Sequence, residues 1–96
     1  MTPQTQVALV TGGGRGIGAA IVKALASQGV AVAFTYAKNA NAAEALVQQL
    51  AAAGHTVKAY QADAADTAAV AKTVQQVYQQ WGRLDVLVNN AGVFLG

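Results

Sequence analysis

Cysteine is absent from this 96-residue sequence and histidine occurs once, at His55. The first absence excludes a disulfide framework and thiolate metal sites, and the second leaves too few ligands for zinc. His55 follows Gly54 in a predicted turn with no carboxylate near it in sequence, which reads as a solvated histidine rather than a catalytic base. The six cations, Arg15, Lys23, Lys38, Lys58, Lys72 and Arg83, are scattered. Without a basic run or an aromatic platform, the net charge of +2 offers nucleic acid no binding surface. No apolar run approaches the length of about 20 residues that spans a bilayer. The start, Met1-Thr-Pro-Gln-Thr-Gln6, lacks the basic-then-apolar order of a signal peptide. A soluble, cytoplasmic protein is the expectation.

What the sequence has in quantity is apolar residues, 54% of the total, and they alternate between strand-like runs and helical periodicity. Val7 to Thr11 reads as a first strand, and Gly16 to Gln28 as a helix with Ile17, Ile21, Val22 and Leu25 inward. Gly29 stops that helix and Val30 to Tyr36 is a second strand. Asn39 or Asn41 caps a helix to about Ala53 with Ala42, Leu46 and Leu50 inward, and Gly54 ends it. Thr56 to Gln61 is a third strand. Asp66 caps a helix through Trp81, on which Val70, Val74, Val77 and Trp81 form one stripe. Gly82 closes it before a fourth strand, Leu84 to Val88. Right-handed crossovers make the four strands parallel, β-α-β-α-β-α-β in the order 3-2-1-4: an α/β, Rossmann-type, doubly wound sheet. Strand four is left as an edge, uniformly apolar at Val86-Leu-Val88 and suited to being covered by another strand. Residues 1–96 therefore read as one partial domain, the first half of a Rossmann-type fold.

The most specific feature lies where strand one turns into helix one: Thr11-Gly-Gly-Gly-Arg-Gly-Ile-Gly18. Glycines admit close backbone approach and positive φ, and the N–H groups that open a helix converge on one point, a combination suited to a pyrophosphate. No lysine follows the last glycine, so this is not a loop for a terminal triphosphate. Gly12, Gly16 and Gly18 give T-G-x-x-x-G-x-G. In that pattern the chain resembles the short-chain dehydrogenase/reductase family, and its 3-oxoacyl-carrier-protein reductase-like members in particular. A second motif, Asn89-Asn-Ala-Gly92 after strand four, resembles the family's N-N-A-G.

The ligand crevice of such a sheet lies at the carboxyl ends of its strands. Thr11, Gly12, Gly14, Gly16, Ile17 and Gly18 are the candidates for the pyrophosphate. Strand two ends in Tyr36-Ala-Lys38-Asn39, where a site for NAD normally carries an acid for the ribose 2′-hydroxyl. None is present; Lys38 and Arg15 can instead meet a 2′-phosphate, so NADP(H) is favoured over NAD(H). Two solvated surface cations are the plainer reading of the same pair. The resemblance implies that Asp63 accepts from the adenine amino group with the Ala64 backbone beside it. Asp63 can equally serve as a helix cap. Asn90 can tie strand-end backbones together, and Ala91-Gly92 offers a side-chain-poor surface for a ribose.

The resemblance implies an oxidoreductase that moves a hydride between nicotinamide and a carbonyl or alcohol carbon of a small molecule. It would use a tyrosine paired with a lysine four residues on. Tyr36, Tyr60 and Tyr78 are followed at that spacing by Ala40, Ala64 and Gly82, and the only serine, Ser27, lies in the first helix. No catalytic residue is therefore assigned within these 96 residues, which should be inactive alone. The expectation is the cofactor-binding half of an enzyme that is homo-oligomeric at full length. The competing expectation is a truncated or designed nucleotide-binding or interaction module without catalysis.

Overall fold

Apolar, β-branched-rich runs form two central strands covered on both faces, and the stretches between strands wind into helices, two on one face of the sheet and one on the other. The computed structural model describes residues 5–12, 16–63 and 65–90. The elements are β1 (Val7–Val10), α1 (Gly16–Ser27), β2 (Ala31–Tyr36), α2 (Ala40–Ala52), β3 (Val57–Gln61), α3 (Thr67–Trp81) and β4 (Val86–Val88). The strands form one parallel sheet in the order β3-β2-β1-β4, with Val7 opposite Ala31, Val32 opposite Val57 and Ala8 opposite Val86. This is the expected doubly wound order.

Period-two alternation separates two cores. Ala8, Val10, Val32 and Phe34 project to one side and meet Val22 and Ala26 of α1 and Ala43, Leu46 and Leu50 of α2. Val7, Leu9, Ala31 and Ala33 project to the other and meet Val77 of α3, with Val74, Trp81 and Leu84 packed at the margin. Trp81 thus covers the sheet, as its place at the end of an apolar stripe suggested. Thr73 is also buried on α3; its Oγ1 donates to the Ala69 carbonyl at 2.9 Å, which satisfies the hydroxyl within its own helix.

Two inward faces differ from expectation. On α1 the buried residues are Gly18, Val22 and Ala26. Ile21 and Leu25 pack at the rim, and Ile17 is 74% exposed rather than inward. The cause is Gly18, which lies so close to Gly12 that any side chain there would strike the Gly12 carbonyl oxygen. That contact sets the rotation of the helix and moves its stripe one residue, about 100°, from where the large side chains alone would put it. On α2 the buried residue of the first turn is Ala43, and Ala42 is half-buried. The α2 cap is Asn39, whose Oδ1 accepts from the Ala42 N–H at 3.1 Å, and the α3 cap is Asp66.

β4 is shorter than the expected Leu84 to Val88, and Asp85 opens its pairing with β1 partly through its side chain. The Asp85 N–H donates to the Val7 carbonyl at 2.8 Å, and the Val7 N–H donates to the Asp85 carboxylate at 2.8 Å. Among the described residues β4 pairs with β1 alone, leaving Val86 37% and Leu87 54% exposed. Among the described residues no helix is long and apolar enough to cross a membrane.

Candidate functional site

The carboxyl ends of β1, β2 and β4 meet at one residue, Gly12. Its φ of 69° is the left-handed conformation that glycine takes without strain. Its N–H donates to Thr35 Oγ1 at 2.9 Å, from the buried end of β2. Its carbonyl accepts from Asn90 Nδ2 at 3.3 Å, from the end of β4. Thr11, also buried, donates its N–H to the Val88 carbonyl at 2.9 Å and its hydroxyl to Asn89 Oδ1 at 3.1 Å. The two asparagines of the second motif therefore brace the first strand end, the tying role that their donor and acceptor chemistry allows.

Gly18 closes this junction. A Cβ at that position would meet the Gly12 carbonyl oxygen and lie 2.9 Å from Asn90 Nδ2, so the backbone of α1 approaches the loop as only glycine permits. Gly16 is different. At φ 60° it opens α1, and among the described residues a Cβ built on it would meet no atom within 4 Å beyond its chain neighbours and its own helix. Space stands over the first turn of a helix whose leading N–H groups carry partial positive charge. Ile17 is exposed beside that space.

Next to Gly12 a cleft of about 390 Å³ runs along the end of β2, lined by Gly12, Thr35, Tyr36, Ala37, Lys38, Asn39 and Ala42. Among the described residues no carboxylate contributes to this lining. Lys38 and Asn39 are exposed at its mouth, and Tyr36 is half-buried in its wall. Asn39 thus lines the cleft and caps α2 at once. A smaller cavity of about 170 Å³ lies at the ends of β1 and β4, between Thr11, Leu87 and Asn89 on the sheet and Thr67 and Val70 on α3.

Asp63 is exposed after β3, with Oδ1 accepting from the Ala65 N–H at 2.9 Å. It closes a short turn, whereas the helix cap is Asp66, whose Oδ1 accepts from the Ala68 and Ala69 N–H groups at 3.1 Å each. Of the residues expected at the site, Thr11, Gly12, Gly16, Gly18, Tyr36, Lys38, Asn39 and Asn90 are brought to the ends of neighbouring strands. Gly14, Arg15, Ala64, Ala91 and Gly92 lie outside the described residues.

Two arrangements escaped sequence reasoning. Thr35, within a strand-forming run, is the acceptor for Gly12; its only signal is a hydroxyl in an otherwise apolar strand end. At the opposite end of the sheet, Arg83 holds Asp85 in a two-pronged pair, Nε to Oδ2 at 2.8 Å and Nη2 to Oδ1 at 2.7 Å. Those hydrogen bonds from Arg83, with the Val7 N–H second, hold the Asp85 carboxyl below its ordinary range and raise Arg83 further. Their spacing of two on an extended segment was the available clue, because it puts both side chains on one face. Among the described residues no group of three or more histidine, cysteine, aspartate or glutamate side chains could hold a metal.

Comparison with known proteins agrees with this fold. A solved short-chain dehydrogenase/reductase from Serratia marcescens is 58% identical, with a TM-score of 0.89 over 95% of this chain and 37% of that one. A blue fluorescent protein from a metagenomic library, solved in complex with NADPH, is 55% identical with a TM-score of 0.89, over 96% of this chain and 38% of that one. The 3-oxoacyl-[acyl-carrier-protein] reductase FabG of Staphylococcus aureus is 47% identical over 93% of this chain and 36% of its own length. The chain thus spans a little over a third of the length of these relatives. The family description short chain dehydrogenase matches residues 6–95. Residues, topology and relatives converge: the chain belongs to the short chain dehydrogenase family.

Proposed function

We propose that this chain is the cofactor-holding half of an NADP(H)-dependent reductase, which moves a hydride between nicotinamide and a carbonyl or alcohol carbon of a small substrate. The observation that carries the cofactor choice is the cleft at the end of β2. Lys38 stands at its mouth and no carboxylate is in its lining, so a 2′-phosphate would meet a cation and no repelling charge. The NADPH complex of the 55% identical neighbour supports the same reading.

The residues present fit such a cofactor. The open space over Gly16 and the opening turn of α1 suit its pyrophosphate. Arg15 and Lys38 would hold the 2′-phosphate, Asp63 and Ala64 the adenine, and Asn90, Ala91 and Gly92 the ribose side. When bound, the nicotinamide supplies or takes up the hydride; this chain's residues bind and orient. The acid/base tyrosine and lysine would belong to sequence outside these 96 residues, so a carbonyl-reduction assay on this chain alone is expected to show no turnover.

The deciding experiment titrates NADPH and NADH into the full-length protein and its Arg15→Ala/Lys38→Ala double variant. Charge-assisted hydrogen bonds contribute about 1.5–3 kcal/mol where water is partly excluded, and exposure at Lys38 reduces that. The NADPH Kd is expected to rise about tenfold or more while the NADH Kd changes less than about threefold. Equal losses for both cofactors would sink the 2′-phosphate assignment.

A further inference from the structure

Thr35 stands at the join between the two halves of the proposed cofactor site. It is fully buried, yet its hydroxyl accepts the Gly12 N–H at 2.9 Å. Gly12 is the first residue past β1, held left-handed at φ 69°, with its carbonyl engaged by Asn90 Nδ2 at 3.3 Å and packed against Gly18. With its N–H turned to β2 and its carbonyl to β4, Gly12 spends both backbone groups on the protein. Thr35 and Gly12 also line the same cleft as Lys38 and Asn39. One hydroxyl thus ties the segment that would recognise a 2′-phosphate to the origin of the glycine loop.

We infer that Thr35 is a positioning residue for cofactor binding: its hydroxyl fixes Gly12, against which α1 packs at Gly18, and so holds the opening of α1 where it can receive the pyrophosphate. This rests on the proposed cofactor role of the loop. Valine matches threonine in shape and lacks the acceptor, so Thr35→Val leaves the Gly12 N–H, a strong donor, without a partner in a part-buried position. The loop then has reason to leave its left-handed start. NADP(H) and NAD(H) share the pyrophosphate, so both should suffer alike, unlike the selective loss expected at Lys38. Serine keeps the hydroxyl and removes only a methyl.

The test measures Kd for NADPH and NADH, with thermal midpoints, in the full-length protein and its Thr35→Val, Thr35→Ser and Lys38→Ala variants. The inference expects Thr35→Val to weaken both cofactors about tenfold at an unchanged ratio, and Thr35→Ser to return both to within about twofold of the parent. Cofactor affinity unchanged in Thr35→Val overturns it. So does a loss that Thr35→Ser shares in full, since the methyl group and core packing would then be the cause. A parent protein that binds neither cofactor would overturn the functional reading itself, whereas a parent that binds NADPH tightly beside an unaffected Thr35→Val would overturn this inference alone.

Discussion

Gly18 and Gly16 belong to one motif and answer to different constraints. At Gly18 the neighbour is protein: a Cβ would meet the Gly12 carbonyl oxygen and Asn90 Nδ2. Gly18→Ala must therefore push α1 off the loop, and by the usual cost of overpacking it should destabilise the fold by about 1–3 kcal/mol. A urea titration checks this; an unchanged midpoint would show that the loop yields freely. At Gly16, among the described residues beyond its chain neighbours and its own helix, nothing fills the space, so its constraint comes from φ and from what a ligand would occupy. The spacing of the glycines marked both positions, because only glycine serves either need. It could not tell the two apart, since the neighbours of Gly18 include Asn90, far along the chain, as well as Gly12 close by. Thr35 was invisible for a related reason. Threonine is an ordinary strand former, and its use as an acceptor depends on where β1 ends beside it.

The local signals of the helices were legible where a side chain acts on its own turn. Asp66 accepts from the Ala68 and Ala69 N–H groups, and Asp66→Ala should lower stability by about 1 kcal/mol, read as a shifted denaturation midpoint. A smaller change than a few tenths would mean that water replaces the cap. For α2 two asparagines stood two residues apart, and the choice of Asn39 depended on backbone geometry. The inward stripe of α1 was displaced by a tertiary contact that periodicity does not carry. Strands are harder still at their ends, where side chains substitute for the ladder. Asp85 does so at the start of β4, and its carboxyl is held below its ordinary range by Arg83 and the Val7 N–H. A group whose pKa is lowered on folding adds stability that is full above its unfolded pKa, near 4, and is lost as pH falls through the lowered value. Between about pH 6 and about pH 3 the parent should therefore lose more stability than Asp85→Asn. Parallel stability curves for the two would remove the carboxylate from the acid response.

Over the whole molecule, helices α1 and α2 cover one face of the sheet and α3 the other, and β4 shows an apolar margin at Val86 and Leu87. Unpaired apolar strands template association. The 96-residue chain by itself is expected to self-associate in light scattering, and Leu87→Lys should shift it toward the monomer mass. An unaltered distribution would place the adhesive surface elsewhere. β4 is fastened at both ends, by Asp85 to Val7 at one and by Asn89 and Asn90 to Thr11 and Gly12 at the other. Val7 meets Ala31 within a single β-α-β unit but reaches Asp85 only across 78 positions. Closing so long a loop costs only about 0.6 kcal/mol more for each doubling of length, but it must be met before the contacts reward it. The three strands β1, β2 and β3 can assemble through near neighbours, so β4 is expected to join last. The segment after β4 carries Asn89 and Asn90, so Thr11 and Gly12 are clasped from that side only once β4 has joined the sheet.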